Sequence, residues 1–259
     1  MTTRREQTYD RRLKELIEKA GKLEKREIER ALNLLESVQK DIAAQVATTE
    51  WQAQHLPQLK AAIENSIESF SQQQLAAQQD ALLNSWNLGI DMVDGPLSSA
   101  GIQFFAPEIA RETLEILQGY SADLVGGLGK DFTKKVNNEI TMGLLGGKTP
   151  FEVMQAIGTE LEGKNVVGSI ARRAETITRT EMGRVQSASR QARMNGVVNG
   201  VTEPDMRWKK KWIWSGKPKG RITHMALDGV VVDLDEDFAG GWPHPHAPGM
   251  PAAETINCG

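Results

Sequence analysis

Apolar residues recur at three- and four-residue steps through most of the first 196 positions, and that period restricts the chain to packed helices. Leu13, Leu16, Ile17, Ala20 and Leu23 open the series. After a phase shift near Gly21–Lys25, Ile28, Ala31, Leu35, Val38, Ile42 and Val46 continue it. The positions between are dense in Arg, Lys and Glu, at spacings that pair along a solvated helix face. A helix of about 40 residues spans about 60 Å. That length suits a coiled coil, a helix docked on a partner, or half of a helical hairpin in a local bundle.

Punctuation divides the rest. His55-Leu-Pro57 predicts a turn, because the residue before a proline is pushed away from helical angles. A second helix is expected over Leu59–Leu88, with Ile63, Ile67, Phe70, Ala77 and Ala81 on its apolar face. Its Ser71–Gln79 stretch keeps helix propensity but has little apolar material to bury. Asp94-Gly-Pro96 and Ala106-Pro107 bracket a looser segment, with Pro107 placed to start a helix through Leu117. Gly119 is expected to stop it. Ser121 can cap the next helix, marked by Leu124, Leu128, Phe132, Val136, Ile140 and Leu144 and weakened by Gly126, Gly127 and Gly129.

Gly146-Gly-Lys-Thr149-Pro150 resembles a phosphate loop only superficially. A Walker loop needs a glycine where Met142 stands and a strand before it. The better account is a helix stop at Gly146–Gly147, a Thr149 N-cap and Pro150 opening a helix through Leu161. Residues 163–168 read as a boundary. Ile170, Ala174, Ile177, Met182, Val185, Ala188 and Ala192 then mark another helix, ending at Gly196. Its polar side carries Arg172, Arg173, Arg179, Arg184, Arg190 and Arg193, a solvated face or a phosphate-binding one.

After Val201 the texture changes. Three of the four histidines, four of the six tryptophans and the single cysteine lie between Trp208 and Cys258. Trp208–Trp214 alternates like a strand, with Trp208, Lys210, Trp212 and Trp214 on one side. Val230-Val-Val232 is a second strand, preceded by the Asp228-Gly229 turn signal. The Pro/His-rich tail beyond 235 is expected to be an irregular arm on this small sheet. The fold class is therefore α+β: a long N-terminal helical bundle or arm over 1–165, then a small helix-plus-sheet module over 166–259.

Net charge is −3, unevenly spread. Residues 166–225 hold thirteen basic and four acidic groups, and residues 226–259 hold none and six. The basic block either pairs internally with the acidic tail or meets nucleic acid or an acidic protein. One cysteine cannot form an intrachain disulfide. No run approaches the roughly 20 apolar residues of a membrane span, and no signal peptide is expected.

Chemistry has three candidate readings here. His224, His244, His246 and Cys258 are zinc-ligand types, without a standard spacing. Arg221, His224 and Asp228 could form a nuclease-like base and phosphate clamp. Arg172, Arg173, Arg179, Arg184 and Arg190, with Lys209, Lys210 and Lys211 among tryptophans, could contact DNA phosphates. Against these stands a structural reading: His224 bonded in a small core, Asp228-Gly229 making a turn, Cys258 buried, and His244-Pro-His246 in an exposed arm.

The ordered set Ile177-Thr-Arg179-Thr-Glu181, Lys211-Trp212-Ile-Trp214, Arg221-x-x-His224, Leu227-Asp228-Gly229, Phe238 and Asn257-Cys258 resembles the head morphogenesis domain of Mu F-like minor head proteins of tailed phages. The resemblance covers roughly residues 145–258. It gives Arg179, Glu181, Trp212, Trp214, His224, Asp228, Gly229 and Cys258 structural roles. One departure is the approach to the histidine, Ser215-Gly-Lys-Pro-Lys-Gly-Arg221, where the family carries acidic residues and Thr-Arg.

The resemblance implies a non-enzymatic virion protein inside the head near the portal, present in host cytoplasm during assembly, without a cofactor. Implied partners are the portal protein, the major capsid or scaffold protein, and packaged double-stranded DNA, with no membrane. Residues 1–165 would be the portal- or scaffold-binding part. A metal-dependent nuclease or toxin-like hydrolase and a DNA-binding ejection protein are the alternatives.

Overall fold

The computed structural model describes residues 3–50, 52–162, 169–198, 207–214 and 220–256. Five long helices come first: α1 (Arg4–Thr48), α2 (Leu56–Ser99), α3 (Glu112–Leu145), α4 (Pro150–Glu162) and α5 (Ile170–Val198). Strand β1 (Lys209–Lys211), helix α6 (Ile222–Ala226), strand β2 (Val231–Asp233) and helix α7 (Ala252–Thr255) follow. The α+β reading holds.

Two compact units are each assembled from separated stretches. One comprises Met1–Glu24, Ala81–Leu117 and Arg179–Gly259; the other comprises Lys25–Asp80 and Gln118–Thr178. The change of unit within α1 coincides with the phase shift in its apolar series. Leu16 packs with Leu88 and Met92 in the first unit. Leu35, Val38, Ile42 and Val46 enter the core of the second.

The second unit is a helical bundle with one continuous apolar core. Ile63, Ile67 and Phe70 of α2, Leu128, Phe132, Val136 and Ile140 of α3, and Val153, Ile157 and Leu161 of α4 meet there. Phe70 and Phe132 pack edge to face, ring centres 5.7 Å apart. Between α3 and α4, Gly147 takes φ +67, and Lys148 N–H donates to the Gly143 carbonyl at 2.9 Å. This is a Schellman stop, which a glycine adopts without Cβ strain. Thr149 N–H then donates to Glu152 at 2.7 Å and Glu152 N–H to Thr149 Oγ1 at 3.3 Å. That reciprocal capping box holds the Glu152 carboxyl below its usual range. Helix stop and cap therefore stand where the sequence places them.

Four expectations fail in this helical part. α2 does not loosen at Asp94–Pro96; it runs through Pro96 to Ser99. Val93 and Leu97 are buried against Val197, and this packing outweighs one proline a few residues from the helix end. Pro107 does not open a helix, and Gly119 does not stop one: α3 is continuous from Glu112 to Leu145. Ser121 is buried inside it rather than capping. Gly129 has a packing reason to be there, since a Cβ at that position would lie 2.3 Å from Ser71 Oγ. The Ser71–Gln79 stretch, poor in apolar residues as expected, buries Ala77 together with two polar side chains, Gln74 and Gln78, at 2% and 1% exposure.

In the first unit, α2 and α5 cross at a glycine. A Cβ on Gly89 would come within 2.0 Å of Ser189 Oγ and 2.4 Å of the Gln186 carbonyl oxygen. Only hydrogen fits. Beside this crossing, Ala81, Leu82, Trp86, Leu114, Met182 and Val185 form one apolar cluster.

Candidate functional site

The C-terminal module is a two-stranded antiparallel sheet closed by a short helix and an irregular arm. β1 pairs with β2 in the register Lys209 to Asp233, Lys210 to Val232 and Lys211 to Val231. The strands are shorter than the alternation predicts, but pairing extends past them: Trp212 N–H donates to Val230 O at 2.9 Å and Gly229 N–H to Trp212 O at 3.0 Å. Gly229 makes the required turn at φ +79.

Trp212, Leu227 and Phe238 form the module's core, with Val232 and Trp242 against it. Trp212 is the hub. Its ring centre lies 5.1 Å from Phe238 and 5.5 Å from His224, both edge to face. His224 also packs edge to face on Trp242 at 5.8 Å. Phe238 and Trp242 pair through their backbones and fold the arm back.

Polar ties fasten the chain around this cluster. His224 Nε2 lies 3.1 Å from Glu254 Oε2, and Thr223 Oγ1 donates to the same oxygen at 3.1 Å. Arg221 donates to the carbonyl oxygens of Glu254 and Ile256. Burial pushes the His224 pKa down; the Glu254 carboxylate opposes the shift and Arg221 reinforces it. Asp228 turns elsewhere, accepting from Trp214 N–H at 3.0 Å.

Arg221 and His224 therefore converge on α7, while Asp228 caps the backbone after β1. The nuclease-like trio does not assemble around a common point. Glu254, which sequence reasoning passed over, is the acceptor that both Thr223 and His224 use. An Arg-x-x-His motif followed by an isolated acidic residue near the end of the arm was the available signal.

The histidines proposed as zinc ligands are separately engaged. His244 Nδ1 lies 3.1 Å from Ser187 Oγ and 2.8 Å from the Pro245 carbonyl oxygen, and burial lowers its pKa. His246 is buried with φ +59, a left-handed conformation uncommon outside glycine. The exposed-arm expectation for His244-Pro-His246 is thus corrected, because the arm packs inward. No group of three His, Cys, Asp or Glu among the described residues is placed to hold a metal ion. Cys258 lies outside the described residues, as does the 163–168 boundary.

The basic residues are mostly not a free solvated face. Arg172 is exposed. Arg173 pairs with Asp131, Arg179 with Glu24 at 2.9 Å, Arg184 with Glu181 at 3.0 Å and Arg193 with Asp94 at 2.6 Å. Glu181 is 2% exposed, and burial raises its pKa against the opposing effect of Arg184. Arg190 is shielded by surrounding protein, which lowers its pKa. Of the three lysines, Lys209 pairs with Asp233 at 3.2 Å. Lys210 is buried with its Nζ 5.5 Å from the Phe238 ring centre. Lys211 is exposed. The helical period marked α5 correctly but could not show which acidic residues its arginines face.

The family model described as Phage Mu protein F like protein matches residues 134–258. The chain is also 33% identical over 130 residues to the NAD(+)--arginine ADP-ribosyltransferase EFV of Enterococcus faecalis. That match covers 49% of this chain but 25% of the enzyme. No solved structure matches the chain. From the second half of α3 through the arm, residues 134–258 are similar to phage Mu F-like proteins.

Proposed function

We propose that the chain is a minor head protein of a tailed phage, acting in head morphogenesis from a position at the portal inside the head. The family match over residues 134–258 carries this reading. The motif residues of that region support a structural role. Trp212, His224, Asp228 and Gly229 make a core, a strap and a turn, and Arg221 holds the arm by backbone carbonyls. The transferase named above is an enzyme in its own right; the shared segment is a quarter of it, and its activity is not carried over here.

The test is co-purification of the full chain with the portal protein of the same phage. The full chain is needed because α5 supplies Ile170 and Ala174 to the helical core, so a fragment ending at 165 would lack part of that core. Retention of the chain by tagged portal, and its presence in purified heads, is expected. Absence from both would overturn the reading. Incubation with labelled NAD+ and an arginine-bearing acceptor checks the non-enzymatic part, which label transfer above background would sink. DNA contact would fall to Arg172 and Lys211. Retention on DNA that falls steeply with salt is the sign of such phosphate contacts.

A further inference from the structure

A cavity of about 440 Å³ lies within the unit that contains the C-terminal module. Its size falls in the range of small-molecule sites, roughly 300–1,000 Å³. Ile17, Leu23, Met92, Met182, Trp212 and Trp214 give it apolar walls. Gln186 and Ser187 add hydrogen-bonding groups.

One cation lines this cavity without a counter-charge. Arg179, Arg184 and Arg193 on the same helix are each matched to a carboxylate. Arg190 has no ion pair among the described residues, and the charged-group neighbour that acts on it is the Tyr9 phenol. Arg190 is half-buried, and the protein around it lowers its pKa. A partly desolvated guanidinium without an ion pair gains from an anionic partner that replaces its lost water. Its planar fork matches a carboxylate with two parallel hydrogen bonds. Glu24 lines the same cavity, 2.9 Å from Arg179. Its negative charge disfavours a multiply charged guest such as phosphate.

We propose that this cavity binds a small organic monoanion, an apolar body ending in one carboxylate, with the carboxylate on Arg190 and the body against Trp212, Trp214, Met92 and Met182. The proposal does not depend on the head-morphogenesis reading.

Isothermal titration of the full chain with octanoate and with 1-octanol tests it. Octanoate should saturate at one per chain and bind about tenfold tighter than octanol, the size of one charge-assisted contact. Arg190→Gln should remove that advantage and leave octanol binding as it was. Its melting temperature should not fall, because the charge it removes has no ion pair among the described residues. Gly21→Leu is the second variant. Gly21 lines the cavity, and a Cβ there meets nothing within 4 Å. Leucine also suits a helix better than glycine. The variant should fold and lose both ligands. The proposal is overturned by equal affinity for octanoate and octanol, by non-saturating octanoate uptake, by Arg190→Gln binding octanoate as tightly as the parent, or by folded Gly21→Leu protein that still binds it.

Discussion

The bundle of residues 25–80 and 118–178 and the C-terminal module of residues 207–256 hold themselves together by different means. The bundle has a core of seventeen buried apolar residues from all five long helices, each worth about 1.5–3 kcal/mol when buried. The module's apolar cluster has three among the described residues, Trp212, Leu227 and Phe238, and the module closes itself with hydrogen bonds to backbone and a histidine–carboxylate strap. Area makes the first robust and tolerant. The second depends on a few specific atoms, which is why its residues, rather than the bundle's, form a recognisable motif.

The largest expected effect tests the bundle. Phe132 is fully buried, and Phe132→Ala should cost about 3–5 kcal/mol, read as a lower denaturant midpoint of the helical circular-dichroism signal. A loss under about 1 kcal/mol would mean the core is not the stabilising mass described.

Trp212→Ala should be nearly as costly, about 3–5 kcal/mol by the same cavity argument, but confined to the module. Hydrogen exchange should quicken over 207–256 while α3 and α4 stay protected. Uniform loss of protection would erase the contrast between the regions.

Gly89→Ala sharpens the comparison from a third side, at the α2–α5 crossing. The backbone carbonyl of Gln186 cannot move aside like a flexible side chain, so overpacking of about 1–3 kcal/mol is expected. A thermal melt unchanged from the parent would show that the helices separate freely.

Acid should loosen the module before the bundle. The folded pKa of His224 and that of His244 lie below the ordinary histidine value of 6.5. The unfolded chain therefore takes up protons first. The stability these neutral histidines provide is complete above about pH 6.5 and declines as pH falls through the folded values. Tryptophan emission should report loosening of 207–256 below pH 6 while helical content holds. His224→Gln should flatten part of that dependence, and an identical pH profile in the variant would refute the assignment.

The smallest effect is a gain. Gln78 is 1% exposed, and neither amide atom has a partner among the described residues. Gln78→Leu should stabilise the bundle by about 1 kcal/mol. A loss of stability would indicate that the buried amide is satisfied by bound water.

Much of this was readable from residue order alone, for a physical reason. Helix period, the Gly147 stop, the Thr149–Glu152 cap and the Asp228-Gly229 turn depend on neighbours within a few positions. They appear where expected. So does the break in the α1 series at Gly21–Lys25, which turned out to mark a change of core.

Local rules failed where distant chain intervened. Pro96 and Gly119 carry breaking signals, yet the helices run on because their faces are packed against partners far away in sequence. Lys210 and the arginines of α5 look like a cationic surface until Asp94, Glu24, Asp131 and Phe238 are brought beside them. Glu254 became the strap's acceptor through an approach of thirty residues of chain that no short-range pattern encodes. Burial and pairing are properties of space rather than of order, so which charges among the described residues lack an ion pair, Arg190 included, emerged from packing alone.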